Sequence, residues 1–205
     1  MMNMMAMTLN NEEMRANLKK ALRLGGTLFV VTAVTGLLLG LVEWVTRDAI
    51  RRAELGDRAE ALRAVMPEAA DFKPMDLISG AAPVADVQEA LAEGGARAGY
   101  CITVEAKGYG GPVTLVVGVT EEGAVRAIHI LSHSETPGLG ARSTEPEFSG
   151  QFANREKLPL QVVKGTPGAP DEIAAISGAT ITSNAVTEGV NAAVEYWDKN
   201  LKGGR

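Results

Sequence analysis

Residues 176–183 read Ile176-Ser177-Gly178-Ala179-Thr180-Ile181-Thr182-Ser183 and separate two segments with different hydrophobic patterns. A short apolar run over 173–176 precedes the glycine, and it is typical of a buried strand. Beyond the stretch, apolar residues recur every three or four positions, which is the pattern of an amphipathic helix: Val186, Val190, Val194, Trp197 and Leu201. The stretch therefore predicts a strand, a tight turn and a helix.

The turn itself is made of small and hydroxylated residues. Candidate N-caps are crowded together, so the first helical residue is not fixed by the pattern: Thr180, Thr182, Ser183 and Asn184. A turn at a helix start presents unpaired backbone N–H groups and the positive end of the helix dipole, which suits a phosphate group. The residues alone leave a second interpretation open, an ordinary capped helix start.

Ser177-Gly178-Ala179-Thr180, followed by Ile-Thr-Ser, resembles the flavin-attachment motif of the FMN-binding domain family. That family includes the G subunit of the Rnf ion-translocating ferredoxin:NAD oxidoreductase complex, which the chain resembles in particular, and the C subunit of the sodium-pumping NADH:quinone reductase. The resemblance implies that Thr180 carries FMN through a phosphoester bond, with Ser177, Gly178, Ala179 and Thr182 beside the cofactor.

One position departs from the family pattern. Ala174 stands six residues before Thr180, where the family often has an acidic residue. Asp171 and Glu172 are nearby and are candidates to substitute for it.

Two further segments match the same family, in the family's order. The first, Gly108-Tyr109-Gly110-Gly111-Pro112, is either an ordinary hairpin turn or a backbone-permissive surface for a flat ring. The second is a loop whose Pro and Gly residues argue against a regular element. The resemblance implies that this loop packs on the isoalloxazine ring, with Thr136 bonding a ring heteroatom and Leu139 supplying an apolar face. The cofactor-binding residues expected from the two segments are Tyr109, Gly110, Gly111, Glu135, Thr136, Pro137, Gly138, Leu139 and Gly140.

The middle of the chain predicts an antiparallel meander. Residues 100–106, 113–120 and 125–131 have strand patterns and are joined by short glycine-bearing turns. Residues 67–85 contain three prolines and predict an irregular connection, and 87–92 fit either strand or helix. A short helix over 147–155 and a strand over 158–163 follow. The expected fold class is α+β, an antiparallel sheet with packed helices behind an N-terminal transmembrane helix.

Residues 24–45 carry no charge except Glu43 and span roughly 30 Å as a helix, the thickness of a bilayer core. Trp44 stands where an interfacial aromatic belongs, and no small-x-small cleavage site follows, so we expect a retained anchor. The expected division is a cytoplasmic segment over 1–23, a transmembrane helix over 24–45, a helical and irregular connection over 46–94, and an FMN-binding domain over 95–205.

Basic residues flank both ends of the apolar run, so the positive-inside rule does not orient it. The resemblance implies a single-pass protein of the cytoplasmic (inner) membrane, with the FMN domain on the extracytoplasmic side. Gly36 and Gly40, with Thr32 one turn earlier, could let another membrane helix approach closely, or could reflect the general frequency of Gly in membrane helices.

Composition excludes several other classes. The net charge is −5 and no basic run interleaves with aromatics, which argues against a nucleic-acid partner. The single cysteine, Cys101, rules out an internal disulfide and a cysteine-based cluster, and we expect it to be buried in a strand. His129 and His133 have no nearby carboxylate cluster, so no metal site is assigned. No catalytic triad, carboxylate pair or phosphate-binding loop is present, and no catalytic residue is assigned.

The function implied by the resemblance is that of a non-autonomous redox subunit of a translocase, an electron carrier holding one covalent FMN. The implied partners are the other membrane subunits of an Rnf-type complex and the lipid bilayer. A flavin transferase is also expected, because no base is evident beside Thr180 to activate its hydroxyl. Three alternatives stay open: a membrane-anchored regulatory or sensory FMN module, the corresponding subunit of a sodium-pumping NADH:quinone reductase, and a structural subunit that is never flavinylated.

Overall fold

The computed structural model describes residues 2–78, 81–156 and 158–203, and the chain divides into two units between Glu54 and Leu55. The first element, α1, spans Met2–Val65. It ends just before Pro67, the first proline of the chain, which has no backbone N–H to continue a helix. The expected helix over 46–66 is therefore confirmed as the last part of α1.

Among the described residues, α1 is the one helix that is long and apolar enough to cross a membrane, and its candidate segment begins at Leu22. The expected span over 24–45 lies inside it. Large apolar side chains between Leu22 and Ile50 are more than half exposed within this unit. Such a surface suits contact with lipid.

The second unit is built on a five-stranded antiparallel sheet in the order β1-β2-β3-β4-β5. Its strands are Asp71–Met75 (β1), Val84–Leu91 (β2), Arg97–Lys107 (β3), Pro112–Thr120 (β4) and Val125–His133 (β5). The expected meander is confirmed, with Ile102 opposite Val117 and Val117 opposite Ile128.

The structure corrects the interpretation of 67–85 as irregular, because β1 lies within it. β1 is an edge strand, and an edge tolerates Pro74 because one side of the strand has no ladder to complete. The ambiguous segment 87–92 is a strand, part of β2. Two strands of the sheet thus lie within 46–94, where the sequence pattern predicts a connection.

The remaining elements are short, apart from the last helix. They are a 3-10 turn over Gly140–Thr144, α2 over Pro146–Ser149, a 3-10 turn over Gly150–Phe152, the parallel strands β6 (Gln161–Val163) and β7 (Glu172–Ala174), and α3 over Thr180–Asn200. The helix expected over 147–155 is shorter, because Gly150 closes α2 and the chain turns extended at Ala153. The strand expected over 158–163 is confined to β6.

The sheet is covered on both faces. Successive side chains of a strand point to opposite faces, so Ile102 and Val104 of β3 lie in the cluster that contains Val190 of α3. Cys101 instead lies with Val65 at the end of α1. This arrangement makes three layers, helix, sheet and helix. As expected, Cys101 is buried, and this burial raises the pKa of its thiol to about 12.

Gly118 of β4 marks the closest approach between the sheet and the end of α1. A Cβ at this position would overlap the backbone carbonyl oxygen of Val65, which cannot rotate away. We expect Gly118→Ala to lower the free energy of unfolding by about 1–3 kcal/mol, the usual effect of overpacking. Thermal unfolding of the full chain in detergent measures it.

Gly56→Ala is the matched control, because Gly56 lies in α1 with no atom near its Cβ position. Replacing Gly in an exposed helix position is expected to stabilise the protein by up to about 1 kcal/mol. Equal melting temperatures for wild type and Gly118→Ala would contradict the close packing of these two layers.

Candidate functional site

Residues 175–179 form the turn between β7 and α3. Gly178 has a φ of 78°, a backbone conformation that suits glycine, and the Ala179 N–H donates to the carbonyl of Ile176 over 2.9 Å. The N-cap of α3 is Ala179, with no side-chain cap, so none of the four candidate residues caps the helix. Ser183 is fully buried instead, and its Oγ donates to the Ala179 carbonyl and accepts from the Ile176 N–H.

The start of α3 is left open to an anion. In the first turn of an α-helix, the N–H groups of Thr180, Ile181 and Thr182 have no intrahelical acceptor. No side chain caps them here, and the positive end of the helix dipole adds to their effect. Thr180 is partly exposed at this point. The turn thus combines donors for a phosphate with an accessible hydroxyl.

Glu135 connects the three motif segments. Its side chain is nearly buried, with 7% exposure. Oε1 accepts a hydrogen bond from the Gly110 N–H at 3.0 Å, and Oε2 accepts one from the Thr182 hydroxyl at 2.7 Å. One carboxylate of the 135–140 loop therefore fixes both the glycine-rich turn and the first turn of α3.

Glycines make this close approach possible. A Cβ on Gly108 would overlap Oε1 of Glu135, and a Cβ on Gly140 would overlap Oε2 and the Thr182 hydroxyl. Neither glycine has a positive φ, so the requirement is for space around the carboxylate rather than for an unusual backbone conformation.

A cleft of about 430 Å³ opens between these segments. This volume falls within the range of roughly 300–1,000 Å³ that is usual for small-molecule sites. Ile181, which lies in the attachment motif but was not among the expected contacts, lines the cleft. So do eight of the expected site residues: Tyr109, Glu135, Thr136, Leu139, Gly140, Gly178, Ala179 and Thr180. Residues some seventy positions apart in sequence thus share one site.

The walls of the cleft are apolar side chains open to solvent. Leu139 is 43% exposed, Ile181 55% and Tyr109 73%. A flat apolar ring could cover all three, while the start of α3 could hold a phosphate. The residues present therefore fit FMN. The helical periodicity of α3 could have identified Ile181. It is apolar, yet it lies five positions before Val186 and so falls outside the buried face of the helix.

The other expected residues lie near the cleft without lining it. Thr182 is buried behind Glu135. The Gly108 N–H donates to the Gly111 carbonyl at 2.9 Å and closes the turn that carries Tyr109. Pro137 and Gly138 are exposed. Ser177 lines a neighbouring cleft of about 270 Å³, so its place beside the cofactor stays a prediction.

The backbone of Ala174, at the position where the family often has an acidic residue, is hydrogen-bonded by the side chain of Gln151. Gln151 accepts from the Ala174 N–H at 2.7 Å and donates to its carbonyl at 3.4 Å. Glu172, a candidate to replace the acidic residue, accepts from the N–H groups of Gly168 and Ala169 and so holds its own loop. Its carboxylate is already engaged away from the turn.

Arg142, which lies near the turn, is already paired with carboxylates. Arg142 donates to Glu145 at 3.1 Å and to Glu147 at 3.4 Å, and the bond to Glu145 raises the pKa of its guanidinium. A phosphate at the helix start would therefore rely on backbone N–H groups. The described part of the chain contains no group of three His, Cys, Asp or Glu side chains placed to hold a metal ion.

Comparison with known proteins agrees with this geometry. The profile of the FMN-binding domain family matches residues 108–195, which include all three motif segments. The G subunit of the Na⁺-translocating ferredoxin:NAD⁺ oxidoreductase complex of Acetobacterium woodii is 34% identical over 213 residues, covering 93% of this chain and 98% of the relative. The G subunit of the proton-translocating ferredoxin:NAD⁺ oxidoreductase complex of Clostridium ljungdahlii is 34% identical over 168 residues, covering 82% and 86%.

Among solved structures, the C subunit of the Na⁺-translocating NADH-quinone reductase from Parabacteroides distasonis matches with a TM-score of 0.49 and 26% identity, covering 58% of this chain and 65% of that one. Both of these G subunits match the chain over most of their own length. The chain belongs to the family of G subunits of ion-translocating oxidoreductase complexes, and it contains the FMN-binding domain of that family.

Proposed function

We propose that this chain is an electron-carrier subunit of a membrane-bound, ion-translocating oxidoreductase of the Rnf type, which connects ferredoxin and NAD. It holds one FMN, attached to Thr180 by a phosphoester bond. The observation that carries the proposal is the position of Thr180, at the first helical residue of α3 and on the lining of the cleft. The G subunits named above support the type of complex.

The protein's own residues bind and orient the cofactor. When bound, FMN supplies the redox chemistry, so the chain needs no acid or base of its own. The uncapped N–H groups at the start of α3 hold the phosphate, and Leu139, Ile181 and Tyr109 exclude water from the ring.

Attachment to Thr180 requires a second protein. A threonine hydroxyl is a poor nucleophile unless a base activates it, and no described side chain forms a hydrogen bond with that of Thr180. A flavin transferase would therefore supply the base that takes the hydroxyl proton as the bond from Oγ to phosphorus forms. The phosphoanhydride bond of an activated flavin donor would break in the same step, and the nucleoside monophosphate part of that donor would leave. The resulting side chain is a phosphodiester.

The segment over 24–45 anchors the subunit in the cytoplasmic membrane beside the other subunits, and the FMN domain faces the extracytoplasmic side. The apolar surface of α1 supports the anchor. A covalent bond suits a domain in that compartment, because a flavin lost there could not be replaced from the cellular pool.

Thr180→Ala removes the attachment oxygen. We expect the variant, co-expressed with a flavin transferase, to lose all flavin fluorescence in a denaturing gel, while the wild-type band fluoresces. Thr166→Ala is the control, since Thr166 is an exposed threonine outside the cleft. A flavin peptide that maps to Thr182 or Ser183 would show that the attachment site is misassigned.

Leu139→Ala removes an apolar wall of the cleft, whose side chain lies beside Gly178, and leaves every residue of the attachment turn unchanged. We expect the variant to keep its covalent flavin but to show a shifted flavin absorption spectrum, because water gains access to the ring. Leu77→Ala is a matched control, since Leu77 is 41% exposed, close to the 43% of Leu139, and lies outside the cleft. An unchanged spectrum in Leu139→Ala would remove the 135–140 loop from the ring site.

The proposed membrane side can be read from reporter fusions. Alkaline phosphatase joined after Arg205 is expected to be active, and a cytoplasmic reporter joined there silent. Fusions joined after Arg23, before the apolar segment, serve as the control and should give the reverse pattern. A cytoplasmic reporter that is active after Arg205 would reverse the topology.

A further inference from the structure

Glu135 is the one carboxyl group among the described residues that line the cleft. It is 7% exposed, and none of the ion pairs formed by the described side chains includes it. Both of its oxygens act as hydrogen-bond acceptors, one for a backbone N–H and one for a hydroxyl. An ionised carboxylate accepts in this way with both oxygens.

Burying a charge without an ion pair is unfavourable, and the two hydrogen bonds offset only part of that effect. A glutamine could accept from Gly110 equally well, and the Thr182 hydroxyl could accept from its amide. The hydrogen-bonding geometry therefore does not by itself require a negative charge at this position. The negative charge of Glu135 must therefore have a function other than hydrogen bonding.

The inference that follows rests on the proposed function. We propose that Glu135 is a positioning residue with a second role: its buried negative charge at the wall of the cleft lowers the reduction potential of the bound flavin. Reduction adds electron density to the flavin, and a like charge in a poorly solvated site raises the energy of the reduced form relative to the oxidised form.

The positioning role follows from the two hydrogen bonds. Gly110 belongs to the turn that carries Tyr109, and Thr182 belongs to the first turn of α3, directly after Thr180 and Ile181. Glu135 thus fixes the distance between a wall of the cleft and the attachment turn. A flavin tethered at Thr180 lies in a cleft whose width this side chain sets.

Three variants distinguish the electrostatic role of Glu135 from its positioning role. Glu135→Gln removes the charge and keeps the size and hydrogen-bonding capacity of the side chain. Thr182→Val keeps the charge and removes one hydrogen bond. Glu105→Gln removes an exposed carboxylate of β3 that lies outside the cleft, and so controls for net charge.

The measurement is a spectroelectrochemical titration of the flavin in each full-length protein, purified after co-expression with the transferase. We expect Glu135→Gln to retain the covalent flavin and to favour the reduced form at least tenfold, a positive shift of about 30 mV for a two-electron couple. Thr182→Val and Glu105→Gln are expected to show no positive shift.

The positioning role has a test that needs no flavin. In the Thr180→Ala background, amide hydrogen exchange at Gly110 is expected to accelerate in Glu135→Ala and to stay slow in Glu135→Gln. Circular dichroism shows whether each variant keeps its fold. Unchanged exchange in Glu135→Ala would overturn the positioning role.

The outcomes distinguish this inference from the proposed function. Wild-type protein without flavin would overturn the proposed function, and the effect on potential with it. Wild-type protein with flavin, but with the same potential in Glu135→Gln, would overturn only the electrostatic role. An equal positive shift in Thr182→Val would also overturn it, because the hydrogen bond would then be the cause.

Discussion

The hydrogen bonds of Glu135 are the constraint on which the site depends. The carboxylate accepts from Gly110 on one side and from Thr182 on the other, although twenty-five and forty-seven positions separate it from them. It has room to do so because Gly108 and Gly140 leave the space around it empty. One glycine of the 108–112 turn and one of the 135–140 loop thus make space for the same buried carboxylate.

The rest of the fold keeps α3 where this bond can form. Gly189 brings the helix close to the sheet, since a Cβ there would lie 3.2 Å from Leu115 and 3.3 Å from Ala106. The end of α1 supports the opposite face through Val65. The helix that begins at the attachment turn is therefore packed closely against the sheet, while Leu139, Ile181 and Tyr109 on the walls of the cleft are exposed. This combination suits a bound cofactor that exchanges electrons at an exposed edge.

The sequence by itself determined the elements whose patterns are strong and local. Alternation over β3, β4 and β5 predicted the meander, and helical periodicity from Val186 to Leu201 predicted α3. The membrane segment follows from length and apolarity alone. The three motifs indicated the family, and the contacts expected from them include eight of the nine residues that line the cleft. These properties depend on residue type and spacing, which a sequence displays directly.

Only the tertiary structure decided what brings the motifs together. Pro74 argued against a strand, because proline is tolerated mainly at a sheet edge and the sequence alone does not show that β1 lies there. Ala179, rather than a hydroxylated residue, precedes α3, because burial directs Ser183 to the turn behind it. The sequence also does not show that Glu135 connects the other two motifs, because its hydrogen-bond partners are distant in the chain. A carboxylate's charge acquires its effect from burial and from its donors, and both come from segments that are distant in the chain.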